Sequence, residues 1–161
     1  MDRDTYLHHL EAGTIKEIMN HEKVKEGDVF FMPAGRVHAI GAGILLAEIQ
    51  QTSDVTYRIY DFDRKGEDGK PRELHTELAL DAIDFKQYDQ YRTEYDRVKN
   101  QAATAVDCPW FTTNVIEFDR SVEKDFNFID SFVIYMCMEG AAVIKYGDGQ
   151  EETIATGETV L

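Results

Sequence analysis

The spacing of hydrophobic and polar residues changes along the chain. Within the first 23 residues, apolar side chains recur at roughly helical spacing until Gly13 interrupts them, which predicts a helical N-terminal region. Beyond this region, short apolar runs at 29–32, 44–50 and 55–60 alternate with turn residues. These runs are rich in β-branched and aromatic residues, which is typical of strands.

The second half of the chain returns to the strand pattern after an interruption. Residues 61–71 are charged and contain Gly66 and Gly69, which predicts a loop, and apolar pairs four residues apart predict a short helix over 77–83. Residues 86–110 are polar and predict a linker that crosses the surface. Strand-like runs then follow at 111–118, 132–138, 141–146, 151–154 and 157–161.

Many short strands separated by glycine turns predict a mainly β fold, an antiparallel sandwich or barrel with a few short helices. We expect residues 1–85 to form part of one barrel and residues 111–161 to begin a second one. The second part contains no histidine and is therefore expected to hold no metal through imidazole. Gly157-Glu158 echoes Gly27-Asp28, which favours an internal repeat that is cut short.

Composition narrows the class of protein further. A chain of 161 residues is long enough to bury a core, and its net charge of −14 argues against nucleic acid and against an anionic membrane as partners. It contains no apolar stretch of membrane-spanning length, and its N-terminus lacks the features of a signal peptide. We therefore expect a soluble, cytoplasmic protein in which Cys108 and Cys137 are free, buried thiols.

The stretch from Gly27 to His38 contains the most informative motif. It predicts a strand, a tight turn at Pro33-Ala34-Gly35, and a second strand that begins with His38. Neutral imidazole is the commonest protein ligand for transition metals, so His38 is a candidate metal ligand. The alternative is a turn histidine whose ring nitrogens bond to the backbone.

The same stretch carries a family resemblance. Its pattern Gly-x5-Pro-x-Gly-x2-His matches the second motif of the cupin superfamily, in which the histidine is the last metal ligand, although Ala42 replaces the usual asparagine. Residues 33–64 resemble the type I mannose-6-phosphate isomerases in their short bacterial form, as do residues 72–75 and 157–161. The resemblance implies a cupin jelly roll and a zinc-dependent aldose–ketose isomerase that interconverts mannose 6-phosphate and fructose 6-phosphate.

The resemblance also implies a set of zinc ligands. In the family, a Gln-x-His pair, a glutamate further along the chain and a final histidine hold the metal, and His38 matches the final histidine. Residues 1–37 contain no Gln-x-His sequence. We therefore expect a fragment that lacks the upstream ligands and the extreme C-terminus, binds zinc weakly by itself and does not turn over substrate.

Arg58 is a candidate for catalysis and for substrate binding. The isomerisation moves a proton between C1 and C2 through an enediol, and a fixed guanidinium near the sugar oxygens would stabilise their developing negative charge. Arg58 also matches a proposed catalytic arginine of the family. The alternative is a surface arginine on a strand that pairs with Asp61 or Asp63.

Glu48 is the second candidate for both roles. On a strand it could face the same cavity as His38, contact substrate hydroxyls or take part in proton transfer. Its neighbours Leu46, Ala47 and Ile49 are apolar, and burying a carboxylate among them without a function would be costly. The alternative is an edge charge that faces water.

Two other classes of function fit the same pattern of strands. A non-catalytic cupin that binds a sugar or regulates a partner needs no complete set of metal ligands, whereas a cupin dioxygenase is disfavoured because the chain has no His-x-His sequence. An incomplete barrel would expose strand edges, so we also expect self-association through them.

Overall fold

The computed structural model describes residues 2–53, 55–62 and 64–161. Helix α1 spans Arg3–Glu11, a short 3-10 helix spans Ile15–Ile18, and helix α2 spans Thr76–Ala82. The strands are β1 (Ala102–Asp107), β2 (Thr112–Ile116), β3 (Tyr135–Met136), β4 (Ala141–Tyr146), β5 (Gln150–Ala155) and β6 (Thr159–Val160).

Local sequence signals explain both helices. The side chain of Asp2 accepts a hydrogen bond from the Thr5 amide at 2.8 Å and caps the start of α1, and Gly13 has a φ of +68° after its end. The buried ring of Tyr6 packs edge-on against Phe85, with ring centroids 5.9 Å apart. The helical N-terminal region is thus confirmed, and α2 begins one residue before the predicted helix.

The strands form small antiparallel sheets. Among the described residues, β1 pairs with β2, β3 with β6, and β4 with β5, each pair as a sheet of two strands. In the first sheet the register shifts between Thr104 and Val106, so the buried Ala105 lies at a β-bulge. The mainly β class with a few short helices is confirmed, and a closed barrel is not formed by the residues described.

The strands predicted at 29–32, 44–50 and 55–60 are not formed in the described part of the chain. Only Val29 makes a ladder contact there, an isolated antiparallel bridge to Thr93. A strand exists only where a neighbouring strand supplies hydrogen-bond partners, and an apolar or β-branched sequence cannot supply that neighbour by itself. These three predictions were wrong for this reason.

The chain divides into two compact units. Unit 1 comprises residues 1–44 and 50–119, and unit 2 comprises residues 45–49 and 120–161. The range predicted as a linker contains β1, whose pairing with β2 joins residues 102–116 into one hairpin within unit 1. Apart from residues 45–49, the division between the units falls near residue 119.

Two expectations from composition concern the cysteines and a membrane span. Cys108 and Cys137 are free thiols as predicted, and both are half-buried rather than fully buried. Within the described residues, no helix combines the length and the apolar character needed to cross a bilayer.

The turn at Pro33 to Arg36 requires a glycine at its third position. The Arg36 amide donates to the Pro33 carbonyl at 3.2 Å, and Gly35 has a φ of +85°. The Gly35 carbonyl accepts from the Asp84 amide at 2.9 Å, just after α2. A Cβ at Gly35 would clash with the Ala82 carbonyl, so this glycine permits the close approach of the turn to α2.

We predict that Gly35→Ala destabilises the protein by about 3 kcal/mol, because it combines an unfavourable positive φ with a steric clash against backbone. Gly43→Ala is the matched control, since Gly43 has a φ of +76° and a Cβ there would meet nothing within 4 Å. That variant should lose only about 1 kcal/mol. Urea unfolding of both variants measures the difference, and equal losses would contradict the proposed close approach.

Candidate functional site

The backbone of Arg58 is held by His75, the residue that precedes α2. The Arg58 amide donates to His75 Nδ1 at 2.9 Å, and the Arg58 carbonyl accepts from the His75 amide at 2.8 Å. His75 thus binds both polar backbone groups of Arg58, and its ring nitrogen acts as the acceptor. This pairing fixes the point from which the guanidinium extends.

The side chain of Arg58 is half-buried and is held by two further residues. Its Nη1 donates to the Glu73 carbonyl at 3.2 Å, and its Nε lies 3.8 Å from Asp61 Oδ1, close enough for an ion pair. The structure therefore contains the ion pair with Asp61 that the sequence offered as the alternative to a catalytic role for Arg58. Asp63, the other partner considered, lies outside the described residues.

Asp61 is the centre of a cluster that the sequence did not reveal. Its side chain is only 7% exposed, although it is charged. It accepts hydrogen bonds from Arg72 Nε at 2.7 Å, from Arg72 Nη2, and from Arg64 Nη2 at 3.0 Å. We call Asp61, Arg58, Arg64 and Arg72 the Asp61 cluster. A carboxylate taken out of water needs such partners to stay ionised.

The electrostatics of the Asp61 cluster follow from these contacts. The hydrogen bonds from Arg72, together with the charges of Arg72 and Arg64, hold the pKa of the Asp61 carboxyl below its usual value, although burial opposes them. The same pairing raises the pKa of Arg72. In the sequence, this cluster is indicated only by the position of Asp61 between Arg58 and Arg64. Arg72 follows them after the loop that contains Gly66 and Gly69.

His38 is exposed and lies just after the Pro33–Arg36 turn. Its Nδ1 lies 3.0 Å from the Arg36 carbonyl. In the tautomer with a proton on Nδ1, this nitrogen donates to the carbonyl and the lone pair of Nε2 is available to a metal. The turn itself is braced by Arg36, which donates from Nη1 to the Phe31 carbonyl at 3.1 Å and stacks on Tyr88.

The described residues fit a zinc ion only in part. His38 fits the part of one ligand, because its ring is exposed and its second nitrogen has a backbone partner. Over residues 2–53, 55–62 and 64–161, however, no group of at least three His, Cys, Asp or Glu side chains is arranged to hold a metal. A zinc ion in a catalytic site usually takes three protein ligands, so the described residues offer one candidate ligand and not a complete centre.

Glu48 belongs to unit 2 and is exposed. Its carboxylate makes no hydrogen bond or ion pair with any residue that the structure describes. The sequence argument for a functional Glu48 was that burying its carboxylate would be costly. Because the side chain is exposed, that argument does not apply. Within unit 1, no hydrogen bond or ion pair between described residues joins His38 to Arg58, so the structure positions each of them separately.

Comparison with known proteins agrees with the fold and with the sequence motif. No family model matches the chain. Curated relatives include a mannose-6-phosphate isomerase of Bacillus subtilis, ManA, which is 41% identical over 105 residues, covering 64% of this chain and 33% of the relative. A putative mannose-6-phosphate isomerase of the same organism, YvyI, is 34% identical over 141 residues, covering 86% of this chain and 44% of the relative.

A solved structure gives the same result. The crystal structure of the mannose 6-phosphate isomerase from Bacillus subtilis matches with a TM-score of 0.50 and 31% identity, over 66% of this chain and 34% of that chain. The chain thus spans between a third and a half of the length of these relatives. Over that part it is related in sequence and in fold to the type I mannose-6-phosphate isomerases, which confirms the predicted resemblance.

The depressed pKa of Asp61 predicts how acid affects stability. Since the carboxyl is more acidic in the folded chain than in the unfolded one, its contribution is complete above the ordinary aspartate pKa of 3.8 and is lost as the pH falls through the lower folded pKa. We expect Asp61→Asn to lose stability at neutral pH and to show a shallower fall in unfolding free energy below about pH 4.

Arg72→Gln provides the second arm of this measurement. It removes the main cause of the pKa shift while leaving the Asp61 carboxylate in place, so its acid dependence should also become shallower. Urea unfolding followed across the acid range measures both variants. An acid dependence that neither substitution changes would contradict the assignment of Asp61.

Proposed function

We propose that this chain forms part of a zinc-dependent isomerase that interconverts mannose 6-phosphate and fructose 6-phosphate, with a sugar phosphate as its partner and the cytoplasm as its location. The single observation that carries the proposal is Arg58, a half-buried guanidinium held by His75, Glu73 and Asp61 within the segment that resembles the family. The names of the relatives support the reaction.

Arg58 has the chemistry that the reaction needs. Moving a proton between C1 and C2 places negative charge on the sugar oxygens, and a fixed cation stabilises that charge without having to reorganise during the step. Asp61 shares its single negative charge among three guanidinium groups, so the Asp61 cluster keeps an excess of positive charge. Arg58 can therefore be held by a carboxylate and still attract an anionic transition state.

His38 is proposed as one zinc ligand, through Nε2. The bound ion supplies Lewis acidity and a template for the sugar hydroxyls. A complete zinc centre needs further ligands, because residues 2–53, 55–62 and 64–161 contain no group of three side chains arranged to hold a metal. The bond between Nδ1 and the Arg36 carbonyl supports the role of His38, because it fixes the ring and its tautomer in the way that metal-bound histidines usually are.

Glu48 is proposed to bind substrate hydroxyls or to carry the proton between the two carbons. A carboxylate can do either when it lies within hydrogen-bond reach of the sugar. The support for this role is that Glu48 lies within residues 33–64, the segment that resembles the family.

The first test is a zinc titration of the chain by itself. We expect no stoichiometric uptake at micromolar protein and no isomerase turnover, because one imidazole is a poor zinc site. His38→Ala should then abolish whatever weak binding is measured by calorimetry, and His21→Ala, at an exposed histidine outside the motif, should not. Tight stoichiometric binding together with turnover would contradict this expectation.

The second test places the segment in an active enzyme. In a chimera, residues 27–75 replace the corresponding residues of the Bacillus subtilis isomerase, and mannose 6-phosphate turnover is followed in a coupled assay. We expect activity, and we expect Arg58→Lys to lower kcat by about 100- to 1000-fold with a smaller change in KM, because the guanidinium acts mainly in the transition state.

Arg36→Lys is the matched control for this substitution. Arg36 lies in the same segment and donates to the Phe31 carbonyl within it, so its replacement alters a local contact without removing the Arg58 guanidinium. A loss in the Arg36 variant as large as that in the Arg58 variant, or a fully active Arg58→Lys chimera, would refute the catalytic role. Sugar binding by the native chain without turnover in the chimera would favour the non-catalytic sugar-binding or regulatory module instead.

A further inference from the structure

We propose that Asp61 is a positioning residue for Arg58, and that Arg72 in turn fixes Asp61. The inference rests on the proposed function, since it explains how a candidate catalytic arginine is kept in one orientation. Asp61 itself is not expected to touch the substrate. Its role depends on the juxtaposition of one buried carboxylate with guanidinium groups from both sides of a loop.

The carboxylate is well suited to hold another side chain in place. It is 7% exposed, and its oxygens accept hydrogen bonds from Arg72 Nε, Arg72 Nη2 and Arg64 Nη2. Arg72 contacts both carboxylate oxygens, Nε bonding to Oδ2 and Nη2 to Oδ1, and such a bidentate contact restricts rotation of the Asp61 side chain. Oδ1, the oxygen nearest to Arg58, is thus fixed in space.

Arg58 needs such a support because an arginine side chain has many rotamers. Its Nε lies 3.8 Å from Asp61 Oδ1, an ion pair and not a hydrogen bond. Its Nη1 is bound to the Glu73 carbonyl, in the segment that also carries Arg72 and His75. The hydrogen bond at Nη1 and the ion pair near Nε together restrict the position of the guanidinium and leave its remaining N–H groups for other contacts.

Arg72 links these constraints to the fold. It lies one residue after Pro71, which bridges to Lys65 across the loop, and one residue before Glu73. The segment from Arg72 to His75 therefore contacts Arg58 at its backbone, at Nη1 and, through Asp61, at Nε. Removing the charge of Asp61 should release one of these contacts and leave the backbone pairing intact.

The experiment measures the motion of the Arg58 side chain in the native chain by nitrogen-15 relaxation at Nε. Arg58→Lys identifies the signal by its disappearance. In the native protein we expect an order parameter near the rigid value of about 0.85, and in Asp61→Asn a fall below about 0.6. Arg72→Gln should cause a smaller fall, because it frees the carboxylate without removing its charge.

Asp119→Asn is the matched control. Asp119 is also an ionised aspartate of unit 1 with cationic and amide partners, Lys99 and Asn100, and it takes no part in the Asp61 cluster. Its replacement should leave the order parameter of Arg58 unchanged. The dispersion of backbone amide signals shows whether each variant is folded.

A mobile Arg58 Nε in the native chain would overturn the proposal without any variant. So would a rigid Arg58 in folded Asp61→Asn or folded Arg72→Gln protein. Because the relaxation measurement uses no substrate, its result does not depend on isomerase activity. An inactive chimera together with the expected loss of order would refute the proposed function and leave the positioning role of Asp61 standing.

Discussion

The contact between the Asp61 carboxylate and the Arg72 guanidinium is the interaction on which the surroundings of Arg58 depend. It keeps a nearly buried carboxylate ionised, and the hydrogen bonds from Arg72 hold its pKa low. A buried charge is tolerated only when its partners replace water, and here those partners are themselves part of the site. The order proposed for Arg58 and the acid dependence expected of stability would thus have one physical cause.

The elements that were predicted correctly are those whose signals lie within a few residues. Helix α2 is specified by apolar residues four positions apart, and the β4–β5 hairpin by its glycine turn at 147–149. The runs at 44–50 and 55–60 have strand-like sequences and form no strand in the described chain. Strand formation depends on a partner distant in sequence, and no local pattern contains that information.

In the candidate site, too, the features that could be predicted are those with a local sequence signal. The short motif around Gly35 and His38 could be recognised because glycine at a positive φ and a following histidine are local features. The support of Arg58 by His75 and Arg72 could not be recognised in the sequence. It depends on the loop of residues 61–71 bringing residues 72–75 back beside Arg58. For Glu48 the apolar neighbours suggested burial, and the side chain is exposed, because an irregular backbone does not alternate its side chains as a strand does.

The pairing of Arg58 with His75 also has a consequence for folding kinetics. These residues are 17 positions apart, so their contact closes a short loop at a small cost in chain entropy. We expect such a contact to form before pairings between distant segments such as the bridge from Val29 to Thr93. The surroundings of Arg58 would then assemble as a local unit, ahead of the contacts that complete the rest of unit 1.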